Sequence, residues 1–386
     1  MVPYWRLSAY YFFYFAFIGA FSPYFTLYLK SLQFSAWDIG VLMSLMQVMR
    51  LLAPNLWGWL ADRLGAKTPI VRGAALMSIL GFSCFFFTQS FAGFFLGMAL
   101  LAFFWSASLP LVEALTFTHL GAQASRYGAI RLWGSVGFIV AVLGLGGLLD
   151  YLQISATLWV SLALLGGILV CALALPEKRE ARHETDRLPI GDILSRREVK
   201  ALFAACFFMA AAHGALYVFY SIYLVSRGYG TTMVGLLWTL GVLAEIVVFL
   251  FLPRLLLVFP LRAILLFSFA CAVLRFLLIG WGVEWLAVVL VAQLLHAATF
   301  GAYHAAAVAA VNRWFAGRHQ ARGQAIYGSL SFGAGGMLGG LISGWAWEAL
   351  GAEMTFTLSS AFALTGMVIL WRGWQPVGGD RMRKSA

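Results

Sequence analysis

Residues 91–118 read FAGFFLGMALLAFFWSASLPLVEALTFT and hold one formally charged side chain, Glu113, in 28 positions. As a helix rising about 1.5 Å per residue the stretch is roughly 42 Å long, against a bilayer hydrocarbon thickness of about 30 Å. It reads as a membrane span with length to spare for tilt or projection. Marking apolar runs off against Gly, Pro and charge extends the reading in both directions. Twelve spans result: 9–30, 38–60, 69–89, 91–118, 126–149, 155–175, 199–226, 231–253, 261–282, 285–312, 323–349 and 353–372. The composition agrees, with 62% hydrophobic and 11% charged residues, where soluble domains run at about 45–50% and about 25%. A soluble enzyme, a disordered chain and a nucleic-acid-binding module are excluded. The formal net charge of +11 belongs between apolar runs rather than on a nucleic-acid surface.

Those basic residues set an orientation. With the N-terminus inside, 21 of the 26 Lys and Arg fall on the internal side, two (Lys30 and Arg227) fall outside, and Arg50, Arg131 and Arg275 lie within spans. Both termini are therefore expected in the cytoplasm. The first run is too long for a signal-peptide core and lacks a small-residue cleavage motif, so it reads as a retained span. The four cysteines, Cys84, Cys171, Cys206 and Cys271, sit inside apolar runs and read as packing residues rather than as a disulfide or metal framework. No metal or organic cofactor is expected.

The longest polar stretch, Pro176–Glu198, divides the chain almost in half. It reads as a cytoplasmic linker, with a short surface helix over Ile190–Val199. The implied organisation is a six-helix bundle over residues 1–175, a linker over 176–198, and a second six-helix bundle with a basic tail over 199–386. The halves repeat each other. An offset of 195 aligns Gly19, Tyr28, Ser31 and Gly40 with Gly214, Tyr223, Ser226 and Gly235; an offset of 196 aligns Arg126, Ile130 and Ser135 with Arg322, Ile326 and Ser331. The same register makes Arg50 the counterpart of Glu245. The fold class is thus an all-α membrane protein of twelve transmembrane helices in two pseudo-symmetric six-helix bundles.

An ionisable group in hydrocarbon costs at least about 2.5–3.5 kcal/mol, so such groups face a cavity and pair. Here they are Arg50, Arg131, Arg275, Glu113 and Glu245, with His213, His296 and His304. Glu113 and Arg131 lie about five residues inside the ends of their spans, close enough in depth to pair; Glu245 and Arg275 lie roughly 13–20 Å deep. Three arginines against two glutamates leave one positive charge, which suits a monocarboxylate held by a bidentate pair. Proton coupling needs a group whose affinity for a proton changes with its surroundings. Glu245, with Arg275 or Arg50 as its variable partner, fits best; His296 or His304, eight residues apart on one face, could serve instead. Trp105 shares a helix face with Glu113 and Trp238 with Glu245. His213, Tyr217 and Tyr220 form one stripe, and His296, Phe300 and Tyr303 another. Substrate contacts are therefore expected from Arg50, Glu113, Arg131, Arg275, Trp105, Trp238, Tyr217 and His296.

Between the second and third runs stands Gly58-Trp59-Leu60-Ala61-Asp62-Arg63-Leu64-Gly65-Ala66-Lys67. It closely resembles the G-x-L-A-D-R-x-G-x-K loop signature of the major facilitator superfamily. The resemblance implies that Gly58, Asp62, Arg63 and Gly65 form a tight conformational loop, with Asp62 capping a helix or pairing with a cation and the glycines allowing close helix approach. The parallel repeat is that superfamily's layout, with a midplane site between rocking halves. Pro110–Ala114 and Tyr127–Gly137 resemble spans four and five of the lactose permease group, placing Glu113 and Arg131 where that group binds sugar. That group's proton-carrying glutamate and its lysine on span ten are Thr299 and Gln293 here, which argues against a galactoside. Arg131–Val136, Leu240–Glu245 and Leu295–Phe300 with His304 are more similar to the bacterial phenylpropionate permease family.

The resemblance implies a bacterial inner-membrane carrier that couples a proton gradient to uptake of a small aromatic carboxylate such as 3-phenylpropionate. Its partners are a small-molecule substrate, protons and the lipid bilayer, not nucleic acid, and a monomer is expected. A proton symporter for a neutral sugar or nucleoside and a drug-exporting antiporter stay open as alternatives. No loop is large enough to signal or to catalyse, and no nucleophile–base pair stands at workable spacing.

Overall fold

The computed structural model describes residues 2–178 and 190–375. Much of the expected linker's charged run, and Arg381, Arg383 and Lys384 of the basic tail, lie outside the described residues. Every regular element among the described residues is helical, and eleven apolar stretches are long enough to cross a membrane. One of these, Phe91–Leu149, is 59 residues long and holds two helices joined by a turn at Gly121, φ +51°, which makes twelve crossings.

In the first half, α1 (Tyr4–Ser31) leads to α2 (Ala36–Leu64) through a capping box. The amide of Asp38 donates to Ser35 Oγ at 3.0 Å, and the amide of Ser35 donates to Asp38 Oδ2 at 3.2 Å. Gly65, at φ +61°, closes α2 in the left-handed region that a side chain avoids. α3 (Thr68–Ser83) carries Pro in its first turn, and α4 (Phe91–Leu120) is capped by Ser90. α5 (Tyr127–Leu149) and α6 (Ala156–Ala174) complete the set. α1 packs along α5 and α6, and α3 packs on α4. An aromatic core forms among them, with Phe85 stacked on Phe94 at 4.9 Å and Phe21 on Phe25 at 4.4 Å.

The second half is less regular. Its first span is split into α7a (Arg197–Ala212) and α7b (Gly214–Ser226) at His213. α8 (Thr231–Val258) and α9 (Leu261–Gly282) are continuous. The tenth span is α10a (Leu286–Leu294), a π-helical segment Ala297–Ala302, and α10b (Tyr303–Trp314). The eleventh is α11a (Gln320–Gly328), a π-helical segment Ser329–Gly335, and α11b (Gly336–Leu350). α12 (Ala352–Gly373) ends the bundle. The surface helix expected over Ile190–Val199 is instead a short helix, Gly191–Ser195, followed directly by α7a. Arg196, extended at ψ 137°, separates the two.

The halves meet where α2 crosses α11b, α5 runs beside α8, and α1 touches α7b. Backbones come close there. A Cβ on Gly40 would stand 2.9 Å from Gly344 Cα, and one on Gly235 would stand 2.7 Å from Val142 O, so only glycine permits this approach. The Tyr24 hydroxyl donates to Val142 O at 2.7 Å and lies 3.3 Å from Thr231 O. These contacts gather toward the face away from both chain ends and seal it. Deeper in, a cavity separates the halves.

Candidate functional site: the central cavity

The cavity has a volume of about 340 Å³ and takes its walls from both halves, within the range of small-molecule sites, about 300–1,000 Å³. The first half contributes Arg50 from α2 and Arg131 from α5; the second contributes His213, Glu245 from α8 and His296. Arg131 lays its guanidinium over the Phe15 ring, 3.8 Å from the centroid, with Tyr11 at 5.9 Å. Arg50 Nη1 donates to Gln47 Oε1 at 3.4 Å. Among the described residues neither arginine has a carboxylate within ion-pair distance. Across the cavity Glu245 Oε2 stands 3.7 Å from His296 Nε2. The wall therefore carries two arginines against one glutamate.

Aromatic rings make up much of the rest of the wall. Trp105 stacks on Tyr14 at 4.2 Å and leans on Phe17 at 4.6 Å. Tyr217 stacks on Trp238 at 6.3 Å, and the Trp238 indole N–H donates to Ser221 Oγ at 3.2 Å. His296, Phe300 and His304 form a continuing stack with interplanar angles of 9° and 16°. Arg50, Arg131, Trp105, Tyr217, Trp238, Glu245 and His296 all line the cavity.

Three of the expected site residues stand elsewhere. Arg275 is 1% exposed and does not reach the wall. It donates from Nε to Ala292 O at 2.9 Å, from Nη1 to Thr299 Oγ1 at 3.0 Å and from Nη2 to Gln293 Oε1 at 3.1 Å. The expected Glu245–Arg275 pair does not form. Ala292 and Gln293 near the end of α10a and Thr299 in the π-helical segment thus surround the buried guanidinium with acceptors. Glu113 lies off the wall and accepts from the Tyr127 hydroxyl at 3.0 Å. It does not pair with Arg131, which turns onto Phe15 instead. His304 sits one layer behind the wall, its Nδ1 sharing a hydrogen bond with the Tyr327 hydroxyl at 3.0 Å.

The loop signature also differs in detail. Asp62 is exposed, and the N-terminus of α3 is capped by Glu177, which accepts from the amides of Lys67 (2.9 Å) and Thr68 (2.7 Å). Arg63 lies over Trp59 at 5.5 Å, and a Cβ on Gly58 would meet nothing within 4 Å, so Gly58 is not a point of close approach here.

Sequence reasoning missed Phe15 under Arg131 and Gln47 beside Arg50. It also missed the three broken spans, although their breaks contribute His213, Thr299, Phe300, Ser331 and Phe332 to the cavity. The signal was present in runs of small residues, Ala211–Gly214, Ala297–Ala302 and Gly333–Gly340. Interrupted spans and π-segments concentrate at functional sites.

The profile of the MFS_1 like family matches residues 4–358. The chain belongs to this major facilitator family. It is therefore a multi-pass membrane transporter rather than an enzyme. The transporter is 31% identical over 371 residues to a protein of Escherichia coli (strain K12) described as a probable 3-phenylpropionic acid transporter, covering 93% of this chain and 95% of that one. It is 27% identical over 363 residues to the putative nucleoside transporter YegT of the same organism, covering 88% and 84%. Its fold matches the crystal structure of the nucleoside transporter NupG with a TM-score of 0.84, covering 98% and 100% of the two chains at 15% identity. Among the transporter's described residues no group of three His, Cys, Asp or Glu side chains is placed to hold a metal ion.

Proposed function

We propose that this transporter is a bacterial inner-membrane proton symporter that imports a small aromatic monocarboxylate, such as 3-phenylpropionate, by rocking of residues 1–175 against 199–386. The observation that carries the reading is the charge on the cavity wall. Arg50 and Arg131 face Glu245 alone, so one cation is left for a substrate carboxylate. Arginine holds a carboxylate through two parallel hydrogen bonds, while Trp105, Tyr217 and Trp238 offer apolar faces to a phenyl ring. The E. coli relative is described as a probable transporter of an acid of this class. A neutral sugar or nucleoside would leave one arginine without a counter-charge.

Glu245 and His296 are the proposed proton site. They face each other at 3.7 Å on the cavity wall, where both the substrate and Arg131 can alter the field they feel. His304, stacked behind Phe300, is a reserve position in the same line. Arg275 holds span ten in shape rather than touching substrate. With 21 of 26 basic residues on the side of the termini, that side is the cytoplasm, the sealed face is external, and this conformation faces inward.

The test is uptake into proteoliposomes with an imposed pH gradient, alkaline inside. Labelled 3-phenylpropionate should accumulate and should leak back when a protonophore is added. Accumulation of a sugar or nucleoside with no aryl acid taken up would reject the reading, and proton-driven export would favour the antiporter.

A further inference from the structure

At the sealed face, each half sends an acidic side chain to the N-terminus of a helix in the other half. Asp150 follows directly on α5. Its Oδ1 accepts from Thr231 Oγ1 at 2.6 Å and from the Thr232 amide at 3.3 Å, and its Oδ2 accepts from the Thr232 hydroxyl. These groups form the first turn of α8, whose N-cap, Gly230, supplies no side-chain cap of its own. Glu348, in the last turn of α11b, does the same in reverse: its Oε2 accepts from the Trp37 amide in the first turn of α2 at 3.2 Å. α2 begins at Ala36 and α8 at Thr231, which is the 195-residue offset of the internal repeat. The two contacts are thus pseudo-twofold copies of one arrangement, with the acids about one helical turn apart in register.

We propose that Asp150 and Glu348 are gate residues of the transport cycle, which hold the sealed face shut by capping α8 and α2 across the seam. A helix N-terminus presents unsatisfied amides and the positive end of the macrodipole, so a carboxylate there is stabilising. Both contacts exist only while α5 lies against α8 and α11b against α2. Opening the sealed face separates both pairs and leaves acids and amides to water. Asp150 and Glu348 are solvent-exposed, so each contact biases the equilibrium modestly, as a carrier that must open in every cycle requires. Nothing in the inference depends on which substrate is carried.

The test uses the full chain in lipid nanodiscs without ligand. Spin labels are placed by Gln89→Cys and Trp285→Cys, exposed positions near the sealed face in opposite halves, in a background whose four native cysteines are alanine. Pulsed dipolar spectroscopy then reads the fraction of molecules open at that face. Asp150→Asn and Glu348→Gln should each raise the open-to-closed ratio about two- to fivefold, the order expected for one exposed charge at a helix end, and the double variant should exceed either. Thr232→Val, which removes a partner from the other side, should shift the ratio in the same direction. Glu284→Gln is the control, because Glu284 pairs with Arg227 inside the second half; it should leave the distribution unchanged. A double variant whose distance distribution superimposes on the parent's, or a control that shifts as far as the gate variants, would overturn the proposal.

Discussion

Arg275 offers a sharp separation between holding the fold and holding the ligand. Replacing it by Gln removes three donated hydrogen bonds, to Ala292 O, Gln293 Oε1 and Thr299 Oγ1. The Thr299 hydroxyl already lies 3.4 Å from His296 O and can turn to it, which leaves two buried acceptors stranded. Each stranded acceptor costs about 1–3 kcal/mol, and losing a buried guanidinium returns part of its own desolvation penalty. A net loss of about 2–3 kcal/mol is expected from the lower half of that range. The assay pairs unfolding of the purified protein, followed by tryptophan fluorescence, with calorimetric titration of 3-phenylpropionate on the same preparation. Arg275→Gln should unfold more easily and keep its ligand affinity within about threefold, since it does not line the cavity. Lost ligand binding in a variant that unfolds like the parent would refute this reasoning and return Arg275 to the substrate.

Arg131→Gln should behave in the opposite way, with unfolding near the parent's and affinity for the acid weakened about 10- to 150-fold, the worth of one charge-assisted interaction. Glu245→Gln should abolish uphill accumulation under a pH gradient while leaving exchange of labelled for unlabelled substrate intact; preserved accumulation would move the proton elsewhere. Glu177 supplies the pH dependence. Partial burial pushes its carboxyl up, but hydrogen bonds from the Thr68 hydroxyl and the amides of Thr68, Lys67 and Lys178 outweigh this and hold it below its ordinary 4.5. A depressed value means that the native state favours the charged form. Its contribution is present above about pH 4.5 and is lost as pH falls through the lowered native value. The parent's unfolding midpoint should drop more steeply than that of Glu177→Gln below pH 4.5, and parallel curves would remove Glu177 as the cap that matters.

Much of the architecture was legible residue by residue. α9 begins and ends where its apolar run does, at Leu261 and Gly282, and α4 exceeds its run by two residues. The ionisable residues inside spans were legible too, and so was the register that pairs Arg50 with Glu245, both of which line the cavity. The pairings were not. Glu113 and Arg131 match in depth yet bind Tyr127 and Phe15, because depth says nothing about how far each helix is rotated about its own axis. Nor could hydropathy reveal that three spans of the second half are broken, since a single His213 and two π-segments rich in small residues do not interrupt the apolar runs around them.

The sequence alone therefore determined how many times the chain crosses the bilayer and which charges are submerged. Each of these follows from a transfer cost counted along one dimension. Only the tertiary structure decided which charges share the cavity. Arg275 turns to Ala292 O, Gln293 and Thr299 along span ten and not to Glu245, and packing of α5 on α1 lays Arg131 over Phe15. Such outcomes depend on angles and neighbours that no linear count contains.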